Sequence, residues 1–505
     1  MITLNGSGLD LEKFIRIARF KEEVQIGESQ KELVKKARDY VKRVVQSEKP
    51  VYGINTGFGK LSDVPVRKED VSKLQENLLK SHACGVGSPL ADEVVRGMML
   101  LRVNALIRGN SGIRLCVLEK LVEMLNKDVC PVVFEKGSLG ASGDLAPLSH
   151  MSLPIIGLGE CYYQDKRMST EEAFFKAGIT KVDGLEAKEG LSLINGTQAM
   201  TSIGAFVIHD ALRLSKLSNI SLGLTMEALH GIIDAYDDRV HQVRGQIGQI
   251  EIASEVRTIL KGSKNITSQG EERVQDAYSL RCSPQVHGAS LDAFMYAKEK
   301  IEIEMNAVTD NPIIFSDDDI SISAGNFHGQ PLALVFDYLG IAIAELANIS
   351  ERRLERMVNP QLSNGLPAFL VKTPGINSGF MIVQYSAASL VSENKVLSHP
   401  ASVDSITSSA NQEDHVSMGT IGARKAQTIL ENTRKVVAME MFTACQAIDL
   451  KGNKGFGEYT SKAYQKVREY IPFIEEDTIM YHHLHTIEDL LVSDELYDHV
   501  FSEVK

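Results

Sequence analysis

The chain has 505 residues, 43% of them hydrophobic and 24% charged. These are ordinary proportions for a folded globular protein, so a disordered, collagen-like or membrane-dominated chain is excluded, and the length implies more than one core region. A formal net charge of −12 comes without a dense Lys/Arg block. The footprint of a nucleic-acid binder is therefore missing, and a small solute is the expected ligand.

Residues 1–20 alternate charged and apolar side chains. This does not read as a signal peptide, and a cytoplasmic location is expected. Over residues 10–47 and 68–125 apolar residues recur at three- and four-residue spacing, which predicts amphipathic helices. Between these stretches lies a glycine-rich loop, Tyr52-Gly53-Ile54-Asn55-Thr56-Gly57-Phe58-Gly59. With Lys60 it has the outline of a phosphate-binding loop. It fails that test because five residues separate Gly53 from Gly59 and Leu61 stands where Ser or Thr would hold magnesium. Short pieces such as residues 129–134 suit β structure but are too few for a βαβ series.

The next loop is richer in information: Gly137-Ser138-Leu139-Gly140-Ala141-Ser142-Gly143-Asp144-Leu145-Ala146-Pro147-Leu148. Asp144 is a good N-cap and Pro147 is tolerated in a first turn, so Ala141-Ser142-Gly143 should lie just before a helix. The positive end of that helix would favour an oxygen gaining negative charge. An ordinary helix-start loop has the same local look. A serine-hydrolase elbow does not fit, because it needs G-x-S-x-G and here the second glycine comes one position early.

Beyond Gln198 the pattern changes. Ile203, Phe206, Val207, Ala211, Leu214 and Leu217 form one stripe, and similar stripes recur within residues 291–308, 332–357 and 426–447. Interiors rich in Ala and Ser, with widely separated Gly and Pro, predict a bundle of long helices. The most apolar stretch, residues 331–349, is interrupted by Asp337 and Glu345. It reads as a buried bundle helix rather than a membrane span. The expected fold is mainly α: an N-terminal helical domain over 1–200 carrying the glycine-rich active-site loops, and a long-helix bundle domain over 201–505.

Two long irregular segments, 359–377 and 398–412, have the length of loops that commonly carry function. The six cysteines (Cys84, Cys116, Cys130, Cys161, Cys282 and Cys445) form no C-x-x-C pair, and none lies near His482, His483 and His485. Neither a disulfide framework nor a metal site is expected. In Gln275-Asp276-Ala277-Tyr278-Ser279-Leu280-Arg281, the spacing of Tyr278 and Arg281 places them on one side of a helical turn.

Ala141-Ser142-Gly143-Asp144 resembles the autocatalytic signature of the aromatic amino acid ammonia-lyases and aminomutases, and the likeness runs over essentially the whole chain. The resemblance implies that the Gly143 amide nitrogen attacks the Ala141 carbonyl. Loss of two waters would then leave a 4-methylidene-imidazol-5-one whose exposed methylene comes from Ser142. The residue types suit this: Gly143 removes bulk from the attacking nitrogen, Ala141 is small, and only a β-hydroxyl can depart to leave an alkene. Such a group is an electron sink of the kind other enzymes import, so no external cofactor or metal is implied.

The same resemblance implies the rest of the site. Tyr52 matches the tyrosine beside the electrophile, and Gln275, Tyr278 and Arg281 match a second active-site segment. Arg281 is suited to grip a carboxylate through two parallel hydrogen bonds. Asn195, in Leu193-Ile194-Asn195-Gly196, and Phe327, in Gly325-Asn326-Phe327-His328, match further pocket positions. Asn195 is expected to donate to the substrate carboxylate or to the imidazolone oxygen.

Ser81-His82-Ala83 and Asn411-Gln412-Glu413-Asp414 resemble the histidine-specific versions of two variable sites. Imidazole is polar at both nitrogens, so a neutral His82 and an anionic Glu413 are suitable partners, whereas a buried carboxylate facing phenyl or phenol is costly. Glu413 has a plainer explanation as part of a capping segment, because Ser409-x-x-Gln412 is a capping box.

The implied reaction is elimination of ammonia from L-histidine to give trans-urocanate, the first step of histidine degradation. A tyrosinate would take the β-proton, Tyr52 first and Tyr278 as competitor, with neighbouring positive potential lowering its pKa. Attack on the electrophile by amine or by imidazole stays open. A homotetramer whose active sites draw on three subunits is also implied. The alternatives are a tyrosine or phenylalanine lyase or aminomutase of the same family, and a fumarase-like helical lyase working by acid and base alone. Ala141-Ser142-Gly143 argues against the last.

Overall fold

The computed structural model describes residues 1–47, 50–57, 59, 66–452 and 454–502. It is mainly α, as expected, with strands of only two to four residues. Two compact units emerge, each assembled from separated stretches of chain. The first comprises Met1–Phe206, Ala297–Asp337 and Pro400–Arg424, and the second Val207–Tyr296, Tyr338–His399 and Lys425–Lys505.

In the first unit, Asp10 starts the helix Leu11–Ala18 by accepting from the Lys13 backbone N–H at 2.8 Å, as an N-cap should. The strand Val24–Ile26 pairs with Ile2–Leu4 before the helix Glu28–Gln46 begins. The helical pattern of residues 68–125 resolves into Val71–His82, Asp92–Leu106 and Leu115–Asn126.

Asp92–Leu106 is buried on nearly every side, Arg102 included. Burial pushes the Arg102 guanidinium down to about 10. It donates to the Ser192 carbonyl through Nε at 2.8 Å and to Gln198 Oε1 at 2.8 Å. It thereby clamps the turn between the helix Glu189–Ile194 and the long helix that begins at Gln198. An unpaired buried cation is costly, so this arrangement is worth keeping only where the turn must be fixed.

The stripes read from the sequence fall on four long helices, Gln198–Ala228, Ser283–Met305, Gln330–Val358 and Gly419–Leu450, of 31, 23, 29 and 32 residues, although the stripe over 291–308 outruns its helix, which ends at Met305. Gln330–Val358 is the one helix among the described residues long and apolar enough to cross a membrane, yet 67% of its most apolar window is buried within the protein. Asp337 on this helix accepts from the backbone N–H groups of Ala401 and Ser402 at 3.1 and 2.7 Å.

The second unit holds a polar network in its core. Glu440 accepts from Arg353 Nε and Nη2 at 2.6 and 2.8 Å, from Ser350 Oγ at 2.6 Å and from Thr225 Oγ1 at 2.7 Å. Every lone pair has a donor, which makes a buried charge tolerable. Nearby, Tyr236 Oη donates to the Leu280 carbonyl at 2.6 Å and so holds the short helix Tyr278–Arg281. The segments 359–377 and 398–412 are irregular, as expected, apart from the single turns Ala368–Leu370 and Ser409–Asn411.

Candidate active site

The helix Leu145–Ser152 starts just after the Ala-Ser-Gly tripeptide, with Asp144 in the N-cap position. Its carboxylate, however, does not cap that helix. It is fully buried and accepts from Ser138 Oγ at 2.9 Å, from the Met200 backbone N–H at 2.9 Å and from Thr420 Oγ1. Asp144 thus ties the loop to the first turns of two long helices. Burial pushes its carboxyl up, against the pull of these donors.

The tripeptide folds sharply. Gly140, Ser142 and Gly143 all have left-handed backbones, with φ of 72°, 54° and 79°. Bridges join Gly140 to Gly143 and Gly143 to Gly196. A Cβ on Gly143 would stand 2.1 Å from the Gly196 carbonyl oxygen, so no other residue fits there. Asn195 Nδ2 donates to the Ser142 carbonyl at 2.9 Å, while its buried Oδ1 has no protein partner.

Glu413 is not part of a cap. Residues Ser409–Asn411 form only a 3-10 turn, and the Glu413 carboxylate accepts from Ser142 Oγ and Ser408 Oγ, both at 2.8 Å. A backbone bridge between Ser408 and Glu413 holds it in place.

These side chains border adjoining hollows. One of about 570 Å³ is lined by Tyr52, Thr56, Ser142, Asn195, Phe327 and Glu413, among others. A second, of about 390 Å³, brings Tyr52, His82, Ser142, Asn195 and Glu413 to one surface, with Leu78, Leu191 and Ile194 as apolar walls. A third, of about 250 Å³, is bordered by His82, Ala141, Gly143 and Glu413. Glu413 faces all three.

Electrostatics around the two ring-bearing residues differ. Burial pulls the His82 imidazole below its ordinary value, against the Leu78 backbone carbonyl and the Glu413 carboxylate, which both raise it, and so favours the neutral ring near neutral pH. Its Nδ1 lies 3.0 Å from Ser81 Oγ. Tyr52 departs from expectation. Burial raises its hydroxyl pKa, the Glu413 and Asp310 carboxylates add to the rise, and only the Gly59 backbone N–H opposes them. The described surroundings do not supply the positive potential anticipated from the sequence.

Gln275, Tyr278 and Arg281 belong to the second unit, and none of them lines these hollows. The predicted helical turn is present, with the Arg281 guanidinium 4.6 Å from the Tyr278 ring centroid. Tyr278 is 70% exposed. Phe58, Lys60 and Leu61 lie outside the described residues. Among the described residues no group of three or more His, Cys, Asp or Glu side chains is placed to hold a metal.

Sequence reasoning missed Asn311, Ser323 and Ala324, which line the largest of these three hollows, and Ser408 and Thr420, which hold Glu413 and Asp144. Asn311 precedes Pro312, a turn signal that could have flagged it. Ser408 and Thr420 carry no local signal.

The aromatic amino acid lyase family matches residues 9–469. Histidine ammonia-lyase 1 of Fusobacterium nucleatum is 56% identical over 500 residues, 99% of this chain and 97% of its own. Histidine ammonia-lyase of Bacillus subtilis is 53% identical over 506 residues, 100% of this chain and 99% of its own. Among solved structures, histidine ammonia-lyase from Trypanosoma cruzi superposes with a TM-score of 0.91 at 39% identity, covering 99% of this chain and 94% of that one. A tyrosine aminomutase from Streptomyces globisporus gives a TM-score of 0.95 at 34% identity, covering 99% and 98%. The chain belongs to the aromatic amino acid lyase family. It is a carbon–nitrogen lyase.

Proposed function

We propose that this chain is a histidine ammonia-lyase, acting in the cytoplasm as a homotetramer and eliminating ammonia from L-histidine to give trans-urocanate. The observation that carries the reading is the gathering of Tyr52, His82, Ser142, Asn195 and Glu413 around one hollow. The relatives bearing that name support it, at 53% to 58% identity over nearly their whole lengths.

The residues present fit a 4-methylidene-imidazol-5-one made from Ala141, Ser142 and Gly143. The left-handed turn folds the backbone onto itself, and only glycine fits at 143. The carbonyl that the ring would retain is that of Ser142, and it already accepts from Asn195 Nδ2. This favours the second of the two roles anticipated for Asn195. When formed, the group supplies an electron-poor methylene carbon that withdraws electrons from the bound amino acid.

The chain's own side chains do the rest. Neutral His82 and anionic Glu413 hold the two imidazole nitrogens, which a phenyl or phenol ring could not satisfy. Phe327 supplies an apolar wall. The substrate carboxylate needs a cation, and among the described residues no Lys or Arg lines the hollows. Arg281, stacked near Tyr278 in the segment that also carries Gln275, supplies that grip from a neighbouring subunit. The same guanidinium supplies the positive potential that the described residues around Tyr52 do not provide. Tyr52 Oη then takes the β-proton.

Urocanate formation from L-histidine, followed by ultraviolet absorbance, tests the substrate. Turnover of phenylalanine or tyrosine without histidine would overturn it. Tyr52→Phe should lower kcat by about 10²- to 10⁴-fold with little change in KM. Near-normal turnover in that variant would move the base to Tyr278.

A further inference from the structure

We propose that Glu413 acts before any substrate arrives, as the acid that releases the Ser142 hydroxyl while the chain makes its own electrophile. The inference rests on the reading of Ala141-Ser142-Gly143 given above, and adds a role for a residue so far assigned only to the substrate ring.

The unreacted loop carries the argument. Ser142 Oγ lies 2.8 Å from Glu413 Oε1, in hydrogen-bond contact across 271 positions of sequence. The carboxylate is fixed for this contact. Its other oxygen takes the Ser408 hydroxyl at 2.8 Å, and the backbones of Ser408 and Glu413 bond reciprocally, at 2.9 and 3.3 Å. Hydroxide is a poor leaving group, so Oγ must gain a proton as its bond to carbon breaks. The neighbours are poorly suited to give one. Asn195 Nδ2 is committed to the Ser142 carbonyl and is not an acid, His82 is held in its neutral form, and Tyr52 keeps its proton tightly. Glu413 touches the departing atom itself.

The step balances as loss of one water. The Ser142 Cα–H proton passes through solvent water to the Glu413 carboxylate, and the electron pair left behind becomes the Cα=Cβ bond. The Cβ–Oγ bond breaks with its pair going to oxygen. Oγ keeps its own hydrogen, takes the newly gained proton from the Glu413 carboxyl and leaves as water. Glu413 ends as the carboxylate it was at the start. The earlier water, from the Ala141 carbonyl oxygen, needs no help from Glu413.

Intact mass of the full-length chain, sampled over time after synthesis, separates these events without reference to activity. Wild type should end two waters lighter than its sequence; if it loses none, the reading of the tripeptide fails first. Glu413→Gln keeps the size and a hydrogen bond but cannot act as an acid. It should lose the first water at the wild-type rate and the second on the order of 10²-fold more slowly, with the retained hydroxyl located at Ser142 by peptide fragmentation. Glu413→Asp should recover part of that rate. Ser408→Ala, which keeps the acid but loosens it, should slow only the second loss. Loss of both waters by Glu413→Gln at the wild-type rate overturns the proposal. Loss of neither overturns it too, because the defect would then lie at ring closure.

Discussion

His82 illustrates how one residue's surroundings set a measurable pH dependence. Its ordinary value is about 6.5, and burial holds it lower in the folded chain. Above about pH 6.5 folded and unfolded states are both neutral at this residue, and it contributes no slope. As the pH falls below that, the unfolded chain takes up a proton that the folded chain refuses, so stability declines until the folded imidazole is protonated too. His287 and His150 are also held below their ordinary values, so the single residue must be isolated by difference. Between about pH 7.5 and about pH 5.5, the thermal midpoint of wild type should fall further than that of His82→Gln. Equal falls would mean that burial does not govern His82.

At the scale of elements, the Asp144 carboxylate decides how the loop sits. Ser138, Met200 and Thr420 meet on it, and Ser138 Oγ and Thr420 Oγ1 also lie 3.0 Å from each other. Thr420→Val keeps the shape and removes one donor from a fully buried carboxylate, which should cost about 1–3 kcal/mol. Ser138→Ala should cost a similar amount, and the two together less than their sum, because each removes part of one network. Thermal or urea unfolding of the four chains checks this; strict additivity would show that Asp144 does not couple them. Periodicity could reveal the long helices because each buries a continuous stripe. The loop motif could reveal Asp144 as a helix start, since capping is a local preference. Its actual partners are out of reach of local reasoning, because Thr420 lies 276 positions away. The contact of Glu413 with Ser142 was hidden for the same reason, although the residue types at both ends were legible. The environment of Tyr52 was misjudged because a hydroxyl's pKa depends on which charges the fold brings near it, and no spacing encodes that.

At the scale of the whole molecule, the chain leaves large apolar and aromatic side chains exposed on three long helices. These are Met295, Tyr296 and Ile303 on Ser283–Met305, Leu334, Tyr338 and Ile341 on Gln330–Val358, and Ile382, Tyr385 and Val396 on Met381–Leu397. Recurrent exposure of this kind marks protein surfaces that associate, and closed symmetric association is the usual outcome for a single kind of chain. Tyr278 is exposed as well, on the same short helix as Arg281, while among the described residues no cation lines the hollow beside Ser142. If neighbouring subunits complete each other's sites, two inactive chains must be able to rescue one another. Ser142→Ala cannot form the electrophile but still offers Arg281; Arg281→Ala forms the electrophile but cannot grip the substrate carboxylate for its neighbour. Co-expressed in equal amounts and assembled at random, they should restore activity at about a quarter of the sites, because each site needs one intact contribution from each of two independently chosen chains. Mixing the two after separate purification should restore activity only as subunits exchange. Activity no higher than that of either variant alone, in tetramers shown by native mass to contain both chains, would place Ser142 and Arg281 of each site on one chain.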